Sequence, residues 1–233
     1  MRRWFSPAVL ALTVAILPAA RSLAQEFHAK VSVQRNSEGD KAAGNSNVVV
    51  WLTPVGSKPP PAAVIHPRLV QKNKRFEPHL LVVPIGTVVE FPNEDPFFHN
   101  VFSFYKGKRF DLGLYEAGSS RSVRFDRPGV SFIFCNIHPE MSAAVVVLET
   151  PYYGLSNHEG RVTIPNVPPG RYRLEVWYEL SSPEALGRLA RQISISGEGP
   201  VMTIEVPEVL AANVPHKNKY GEDYEKSSTY KPE

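Results

Sequence analysis

The chain has 233 residues, of which 42% are hydrophobic and 10% aromatic, enough to bury one or two apolar cores. This composition excludes an intrinsically disordered protein. The formal net charge of +3 arises from 26 basic and 23 acidic residues. Three of the basic residues, Arg2, Arg3 and Arg21, precede residue 25, and without them 23 basic residues face 23 acidic ones. The charge therefore gives no basis for a nucleic-acid or anionic-membrane partner, and we expect neither.

The first 24 residues have the composition of a secretory signal peptide. Arg2 and Arg3 precede an apolar stretch over residues 4–20, and Ser22-Leu23-Ala24 provides a small-x-small cleavage site. A membrane anchor is the alternative, but the stretch is short, two prolines interrupt it and a cleavage site follows. We therefore predict that residues 1–24 are removed on export through the inner membrane. The mature protein would be periplasmic, with no membrane span.

Short runs rich in Val, Ile, Phe and Tyr recur along the mature chain, separated by Gly, Pro, Asn and Asp. This pattern is typical of an all-β sandwich. The clearest runs cover residues 48–52, 80–91, 122–125, 131–134 and 143–148. One later segment predicts a short surface helix that continues to Arg191, with Ser182 as its N-cap and Pro183 at its first position.

The most informative motif is the segment Cys135-Asn136-Ile137-His138-Pro139-Glu140-Met141. Its C-x2-H-x2-M spacing places a thiol, an imidazole and a thioether in one short loop, which we call the ligand loop. A mononuclear blue-copper centre uses two His and one Cys in a trigonal set with a weak axial Met, so the loop supplies three of the four groups. The candidate for the second His is His99, which follows an extended apolar run and the turn Pro92–Pro96.

Cys135 is the one cysteine of the chain and cannot form an internal disulfide, so its presence in an exported protein needs an explanation. The alternative to metal ligation is an inert, buried thiol. The spacing favours ligation, because one of the two methionines after the signal, Met141, lies three residues after a His that itself lies three after the Cys. Zinc is a weaker interpretation, since zinc does not normally select a thioether.

Several other classes of protein are excluded by the residues present. A dinuclear copper electron-transfer centre needs two Cys, and multicopper oxidases need His-x-His clusters, none of which the sequence contains. No Gly-x-Ser-x-Gly, His-Glu-x-x-His or Walker motif occurs either. We therefore predict that the protein is not an enzyme.

These motifs resemble the cupredoxins, the small blue-copper electron carriers. The ligand loop resembles that of amicyanin- or plastocyanin-like members. It is most similar to the amicyanin loop, which has the same C-x2-H-x2-M spacing and a proline in the position of Pro139. Val82–Asn93 resembles the strands that lead to the first ligand, and Asn100 matches the His-Asn-Val of the family. A closer resemblance is to the bacterial methylamine-utilisation-like proteins, which Phe91-Pro92-Asn93 and Phe110–Tyr115 fit.

The resemblance implies a cupredoxin Greek-key β-sandwich with one mononuclear type 1 copper. The ligands that it implies are His99, Cys135, His138 and Met141. It also implies that the backbone N–H of Asn100 bonds the Cys135 sulfur, a contact that tunes the potential, and that Pro139 shapes the loop beside it. The edge of His138 would reach the surface within an apolar docking patch formed by Phe97, Phe98, Ile137 and Pro139. Ordinary core packing is the alternative for the two phenylalanines.

The chain after residue 150 resembles the second half of a carboxypeptidase-regulatory, transthyretin-like β-sandwich, at Glu159–Ile164 and Val167–Val176. Its first half would lie before the cupredoxin, which would then be an insertion. The alternative is a cupredoxin over residues 25–150 that includes the N-terminal strands and carries a small appendage. The predicted divisions are a signal peptide, 1–24; a first half-domain, 25–63; the cupredoxin, 64–150; a second half-domain, 151–208; and a polar, solvated or loosely docked tail, 209–233.

The remaining histidines are less suited to metal binding. His79 is the strongest rival ligand because it lies in the cupredoxin-like unit, but it opens a strand that should run well before the site. The others have no second donor at ligand spacing and are interpreted as surface or loop residues: His28, His66, His158 and His216.

The predicted function is that of an exported one-electron carrier that cycles copper between Cu(II) and Cu(I) and serves redox partner proteins. Two alternatives come from other classes. A copper-handling protein would use the same ligands but release copper to a partner. A scaffold would bind envelope glycans or proteins through the transthyretin-like unit, and that binding would survive the loss of His99 or Cys135.

Overall fold

The computed structural model describes residues 24–35, 44–104, 107–197, 199, 201–209 and 216–224. Within them lie sixteen β-strands and one α-helix. In chain order the strands are β1 (Gln25–Gln34), β2 (Val49–Pro54), β3 (Val70–Lys72), β4 (Arg75–Glu77), β5 (Leu80–Pro84), β6 (Thr87–Pro92), β7 (His99–Ser103), β8 (Phe110–Tyr115), β9 (Ser120–Phe125), β10 (Gly129–Phe134), β11 (Ser142–Leu148), β12 (Tyr153–Leu155), β13 (Arg161–Val167), β14 (Gly170–Trp177), β15 (Arg191–Ile195) and β16 (Met202–Pro207). The helix α1 is Pro183–Leu189.

The all-β prediction is confirmed by this succession of strands. The predicted signal peptide lies outside the described residues except for Ala24. In the parts of the chain that the structure describes, no helix has the length and apolar character needed to cross a membrane.

Strands from the two ends of the chain form one β-sandwich, the split unit, which comprises β1, β2, β12–β16 and α1. Its three-stranded sheet has the order β13-β1-β16, and its four-stranded sheet has the order β12-β2-β14-β15. Strand β1 buries alternate residues, Phe27, Ala29, Val31 and Val33, because successive side chains of a strand point to opposite faces. These side chains share one apolar core with residues of β2 and β14.

The strands between β2 and β12 form a second β-sandwich, the inserted unit, which comprises β3–β11. A five-stranded sheet of order β5-β11-β10-β7-β8 faces the pair β6-β9, and β3-β4 form a short hairpin beside them. Between these layers lies a core of large apolar side chains that includes Phe91, Phe125 and Ile133. The chain leaves and re-enters the split unit at neighbouring strands, since β12 pairs with β2 at Tyr153 and Trp51.

Strand β11 joins the two units because both of its faces are buried. Its residues Ala143, Val145 and Val147 belong to the core of the inserted unit. The residues that alternate with them, Ala144, Val146 and Leu148, pack with Val49 of β2 in a separate apolar cluster. A strand covered on both sides is a nearly continuous apolar run, which residues 143–148 are. The two sandwiches are thus stacked through the outer faces of β11 and β2.

The predicted helix is confirmed, with a change at its end. The Ser182 side chain accepts a hydrogen bond from the Ala185 N–H at 3.1 Å, and Pro183 occupies the first turn. The helix ends at Leu189 rather than Arg191, because Arg191 opens β15 and pairs with Leu174 of β14. The end of the segment that the local pattern predicted as helix is therefore strand, because it pairs with β14.

Candidate metal centre

The ends of three neighbouring strands place the predicted ligands together. His99 is the first residue of β7, Cys135 directly follows β10, and Met141 directly precedes β11. In the five-stranded sheet β10 lies between β7 and β11, with Phe134 opposite both Phe102 and Ser142. The ligand loop is therefore the turn of a β10–β11 hairpin whose neighbouring strand carries His99.

Three donor atoms form a compact triangle. His99 Nδ1 and His138 Nδ1 lie 3.1 Å apart, and the Cys135 Sγ lies 3.8 Å from the first and 3.6 Å from the second. Among the described residues this is the one group of three or more His, Cys, Asp or Glu side chains whose ligand atoms could hold a metal ion. The pairing of β7 with β10 thus brings together His99 and Cys135, which are 36 positions apart in sequence.

The ligand loop is closed by its own backbone. The Cys135 N–H donates to the Met141 carbonyl at 3.3 Å, and the Met141 N–H donates to the His138 carbonyl at 3.0 Å. The Met141 side chain is fully buried in the apolar core that also contains Cys135. The thioether predicted as the axial ligand is therefore held on the inner side of the loop, away from solvent.

One ligand edge is accessible. His99 and Cys135 are fully buried, whereas His138 is half-buried. Around it the side chains of Phe98 and Ile137 are 53% and 45% exposed. The Phe97 ring lies 5.1 Å from the His99 ring and 5.7 Å from the His138 ring, and Lys74 Nζ lies 5.6 Å from its centre. Phe97, Phe98, Ile137 and Pro139 all lie at the surface, as the predicted docking patch requires.

A buried carboxylate that the sequence argument missed orients His99. Asp95 Oδ2 accepts from His99 Nε2 at 2.8 Å and from the Lys74 N–H at 2.9 Å, and Oδ1 accepts from the Asn73 N–H at 2.7 Å. Burial alone would raise the pKa of Asp95, but these three donors bring it below its ordinary value. Because Asp95 accepts a hydrogen bond from Nε2, the other ring nitrogen of His99, Nδ1, is the one that faces Cys135 and His138.

The thiol lies beside the backbone of Asn100, Ile137 and His138, whose N–H groups act to lower its pKa. Burial nevertheless raises the pKa of the Cys135 thiol, so the metal-free protein keeps it protonated at neutral pH until a cation displaces the proton. Burial also lowers the pKa of His138, and the neighbouring His99 lowers it further, which favours the neutral ring that binds metals.

The C-terminal segment, residues 216–224, belongs to the tail predicted as solvated or loosely docked, and it lies against the ligand loop with Lys217 and residues 220–223 exposed. Tyr224 Oη donates to the Cys135 carbonyl at 2.9 Å, and His216 Nε2 donates to the Pro139 carbonyl at 2.8 Å. The rest of the predicted tail, apart from residue 209, lies outside the described residues. The polar composition of the segment gave no signal of this contact, although its aromatic rings include His216 and Tyr224, which pack against each other.

The other histidines lie away from the triangle. His79 Nδ1 donates to the Ser142 carbonyl at 3.0 Å, and its Nε2 pairs with Glu179 of the split unit at 2.6 Å, so the rival ligand instead joins the two units. His28 contacts Thr163 and Glu26, and His66 and His158 are exposed.

No protein-family model matches the chain, and no curated protein matches it. Among solved structures, a purple cupredoxin from Nitrosopumilus maritimus is 24% identical and covers 35% of this chain and 99% of its own, with a TM-score of 0.32. A Cu-containing nitrite reductase (NirK) from Thermus scotoductus SA-01 is 21% identical over 51% of this chain and 28% of its own, with a TM-score of 0.35. A Cu(I) form of an amicyanin mutant is 21% identical over 42% of this chain and 98% of its own, with a TM-score of 0.34. Likeness this low leaves the function to be argued from the site itself.

Proposed function

We propose that the protein binds one copper ion as a mononuclear type 1 centre and carries single electrons between redox partner proteins. The observation that carries this proposal is the triangle of His99 Nδ1, His138 Nδ1 and Cys135 Sγ, with edges of 3.1, 3.6 and 3.8 Å. The ligands would be these three groups and the buried thioether of Met141.

The donor set fits a first-row metal ion in both distance and chemistry. Two atoms bound to one ion cannot lie farther apart than the sum of their bond lengths, which is about 4.1 Å for two imidazole nitrogens and about 4.4 Å for nitrogen and thiolate sulfur. All three edges of the triangle are shorter than these sums. Two imidazoles, one thiolate and a weak thioether are the set that blue copper uses, whereas zinc does not normally take a thioether.

Bound copper would supply a one-electron Cu(II)/Cu(I) couple at this position. The chain's own residues hold the donors still. Asp95 fixes the orientation of the His99 ring, and the backbone N–H of Asn100 acts to lower the pKa of Cys135. His99, Cys135 and Met141 lie at or next to the ends of paired strands, and a preorganised site needs little rearrangement when its charge changes.

The half-buried edge of His138 offers a route for the electron. Phe97, Phe98 and Ile137 expose apolar surface around it. A small and partly apolar contact of this kind suits a transient encounter between redox proteins, which bury less area than stable complexes do. This support favours transfer to a docked protein over turnover of a small substrate, in keeping with a protein that is not an enzyme.

We also propose export to the periplasm and a transthyretin-like identity for the split unit. Support for export is the signal-like composition of residues 1–24. Support for the second proposal is that β1 and β2 complete the sheets formed by the strands after residue 150. N-terminal sequencing of the protein recovered from the periplasm tests export, and a chain that begins at Gln25 is the expected result. A chain that keeps Met1 would contradict it.

The copper proposal is tested by adding one equivalent of Cu(II) to the mature protein and recording visible absorption and EPR spectra. We expect an intense blue thiolate-to-copper band and narrow copper hyperfine splitting, both absent in Cys135→Ser. His66→Gln, which changes an exposed histidine far from the triangle in sequence, is the matched control and should keep both signals. Copper bound without the band would contradict the proposal and favour copper handling, and failure to bind copper would favour the scaffold.

A further inference from the structure

The C-terminal segment, residues 216–224, has a shape of its own. Asn218 Oδ1 accepts from the N–H groups of Tyr220 and Glu222, both at 2.9 Å, and the Asn218 N–H donates to the Glu222 carbonyl at 2.8 Å. Gly221 adopts the left-handed conformation, φ +84°, that this turn requires. The Lys217 and Asp223 side chains pair across the turn at 2.6 Å. The segment is therefore a closed turn and not an extended tail.

This turn contacts the ligand loop at three successive points. Tyr224 Oη donates to the Cys135 carbonyl at 2.9 Å, the Lys219 N–H donates to Asn136 Oδ1 at 2.9 Å, and His216 Nε2 donates to the Pro139 carbonyl at 2.8 Å. The hydrogen bonds within the loop use the carbonyls of His138 and Met141 and leave those of Cys135 and Pro139 to the C-terminal segment. The two sets of bonds are thus complementary.

A second route connects the same segment to the strand that carries His99. Lys219 Nζ pairs with Asp111 Oδ2 at 2.8 Å, and both side chains are mostly buried, at 21% and 27% exposure. Asp111 Oδ1 accepts from Asn100 Nδ2 at 2.7 Å. Asn100 directly follows the candidate ligand His99 in β7, the strand that pairs with β10. Lys219 therefore fixes, through Asp111, the residue next to His99.

Ring packing adds an apolar contact. The His216 ring lies 3.9 Å from the Phe134 ring with a tilt of 30°, and Tyr224 packs edge-on against His216 at 5.2 Å. Phe134 is the last residue of β10 and directly precedes Cys135. The C-terminal segment thus covers the strand end from which the ligand loop begins.

From these contacts we infer that residues 216–224 are a positioning element of the metal centre, which holds the ligand loop in its binding arrangement before an ion arrives. That the loop binds a metal depends on the function proposed above. That the segment orders the loop does not depend on it. A loop ordered in advance costs less conformational entropy on binding, so loss of the contacts should loosen the loop in the metal-free protein and speed the release of copper from the loaded one.

The test is amide hydrogen exchange of the ligand loop in the full, metal-free mature chain. Tyr224→Phe removes one hydroxyl and keeps the ring, so we expect exchange at Cys135 and Met141, whose amides bond within the loop, to rise about fivefold, the effect of one hydrogen bond. Tyr172→Phe is the matched control, because it also removes one hydroxyl that donates to a backbone carbonyl, that of Pro168, but in the split unit. Exchange in Tyr224→Phe equal to that of the control would overturn the inference.

Two further readouts separate positioning from general stability and from the copper proposal. Copper release from loaded Tyr224→Phe to an excess of chelator should be about fivefold faster than from the wild type, while the urea midpoint reported by tryptophan fluorescence stays unchanged. Should Tyr224→Phe not fold, Lys219→Met interrupts the second route and is expected to show the same faster exchange, and wild-type exchange in it would overturn the inference. A wild type that binds no copper would refute the proposed function and leave the exchange result to decide the role of the segment.

Discussion

The two β-sandwiches are built alike, but they bury different polar groups. In the described split unit and its junction, the buried polar side chains are hydroxyls, those of Thr150, Ser156 and Ser181. The inserted unit also buries an imidazole, a carboxylate and amides, in Gln71, Asn93, Asp95, His99 and Asn100. Burial of such groups is unfavourable unless each finds a partner, so a fold that keeps them has a use for them. From this difference we expect the inserted unit to carry the chemistry and the split unit to support it.

The largest expected effect tests whether the two roles can be separated. Leu174→Ala leaves a cavity in the core of the split unit and should lower its free energy of unfolding by about 2–5 kcal/mol. Trp51 and Trp177, the tryptophans after residue 24, both lie in the split unit, so their fluorescence during urea unfolding reports this loss. The blue band of the native, copper-loaded variant should be unchanged. A weaker band before any unfolding would show that the split unit shapes the metal centre directly.

A second substitution sharpens the comparison inside the inserted unit. Asp95 accepts three hydrogen bonds through its two oxygens, and an amide in its place has one oxygen and cannot accept all three in any orientation. Asp95→Asn should therefore weaken copper affinity about 10- to 100-fold, as competition with a chelator measures.

Glu94→Gln is the control for this substitution. Glu94 is the neighbouring residue, and its exposed pairs with Arg68 and Lys72 are both 3.4 Å long. Affinity in Glu94→Gln should equal that of the wild type. An equal loss in both variants would mean that negative charge near the site matters and the orientation of His99 does not.

A third change addresses the buried thioether. Met141→Leu keeps the apolar volume and removes a weak donor that favours the more highly charged Cu(II) state. The reduction potential should rise by about 60 mV, which is a tenfold change in the ratio of the two oxidation states. Redox titration followed at the blue band measures the potential. An unchanged potential would show that Met141 is a core residue and not a ligand.

The smallest effect concerns the junction between the units. The hydrogen bond with Glu179 raises the pKa of His79, although partial burial opposes the rise. A raised folded-state pKa means that the pair stabilises the protein fully below the ordinary value of 6.5 and that this contribution is lost as pH rises through the folded-state pKa.

The pair is solvent-exposed, so it should contribute less than about 1 kcal/mol. Urea midpoints of the wild type and His79→Gln should therefore differ more at about pH 6 than at about pH 9. A difference that stays the same at both pH values would contradict the assignment of the pair.

Local patterns predicted the parts of the structure that local sequence determines. The C-x2-H-x2-M loop is a contiguous motif, and the Ser182 N-cap acts within one turn, so both were accessible from the sequence. Asp95 was missed because a carboxylate between Pro92 and Pro96 also fits an ordinary turn, and only its position four residues before His99 hinted at a contact.

The contacts of the C-terminal segment with the ligand loop were not predicted, for a different reason. Its contacts join residues 77 to 108 positions apart, such as His216 with Pro139 and Lys219 with Asp111. A polar segment has no apolar periodicity that would predict where it docks. Hydrogen bonds to backbone carbonyls are even harder to predict from the sequence, because they depend on the fold of the loop and not on the identity of its side chains.

The most direct test of a copper electron carrier is copper K-edge X-ray absorption of the loaded mature protein, measured first as Cu(II) and again after reduction to Cu(I). We predict one sulfur at short distance and two imidazole nitrogens in both states, with copper still bound at one equivalent, because the strands and Asp95 hold the triangle of His99, Cys135 and His138 in place. Loss of the imidazole ligands or release of copper on reduction would contradict the account and identify a protein that delivers copper.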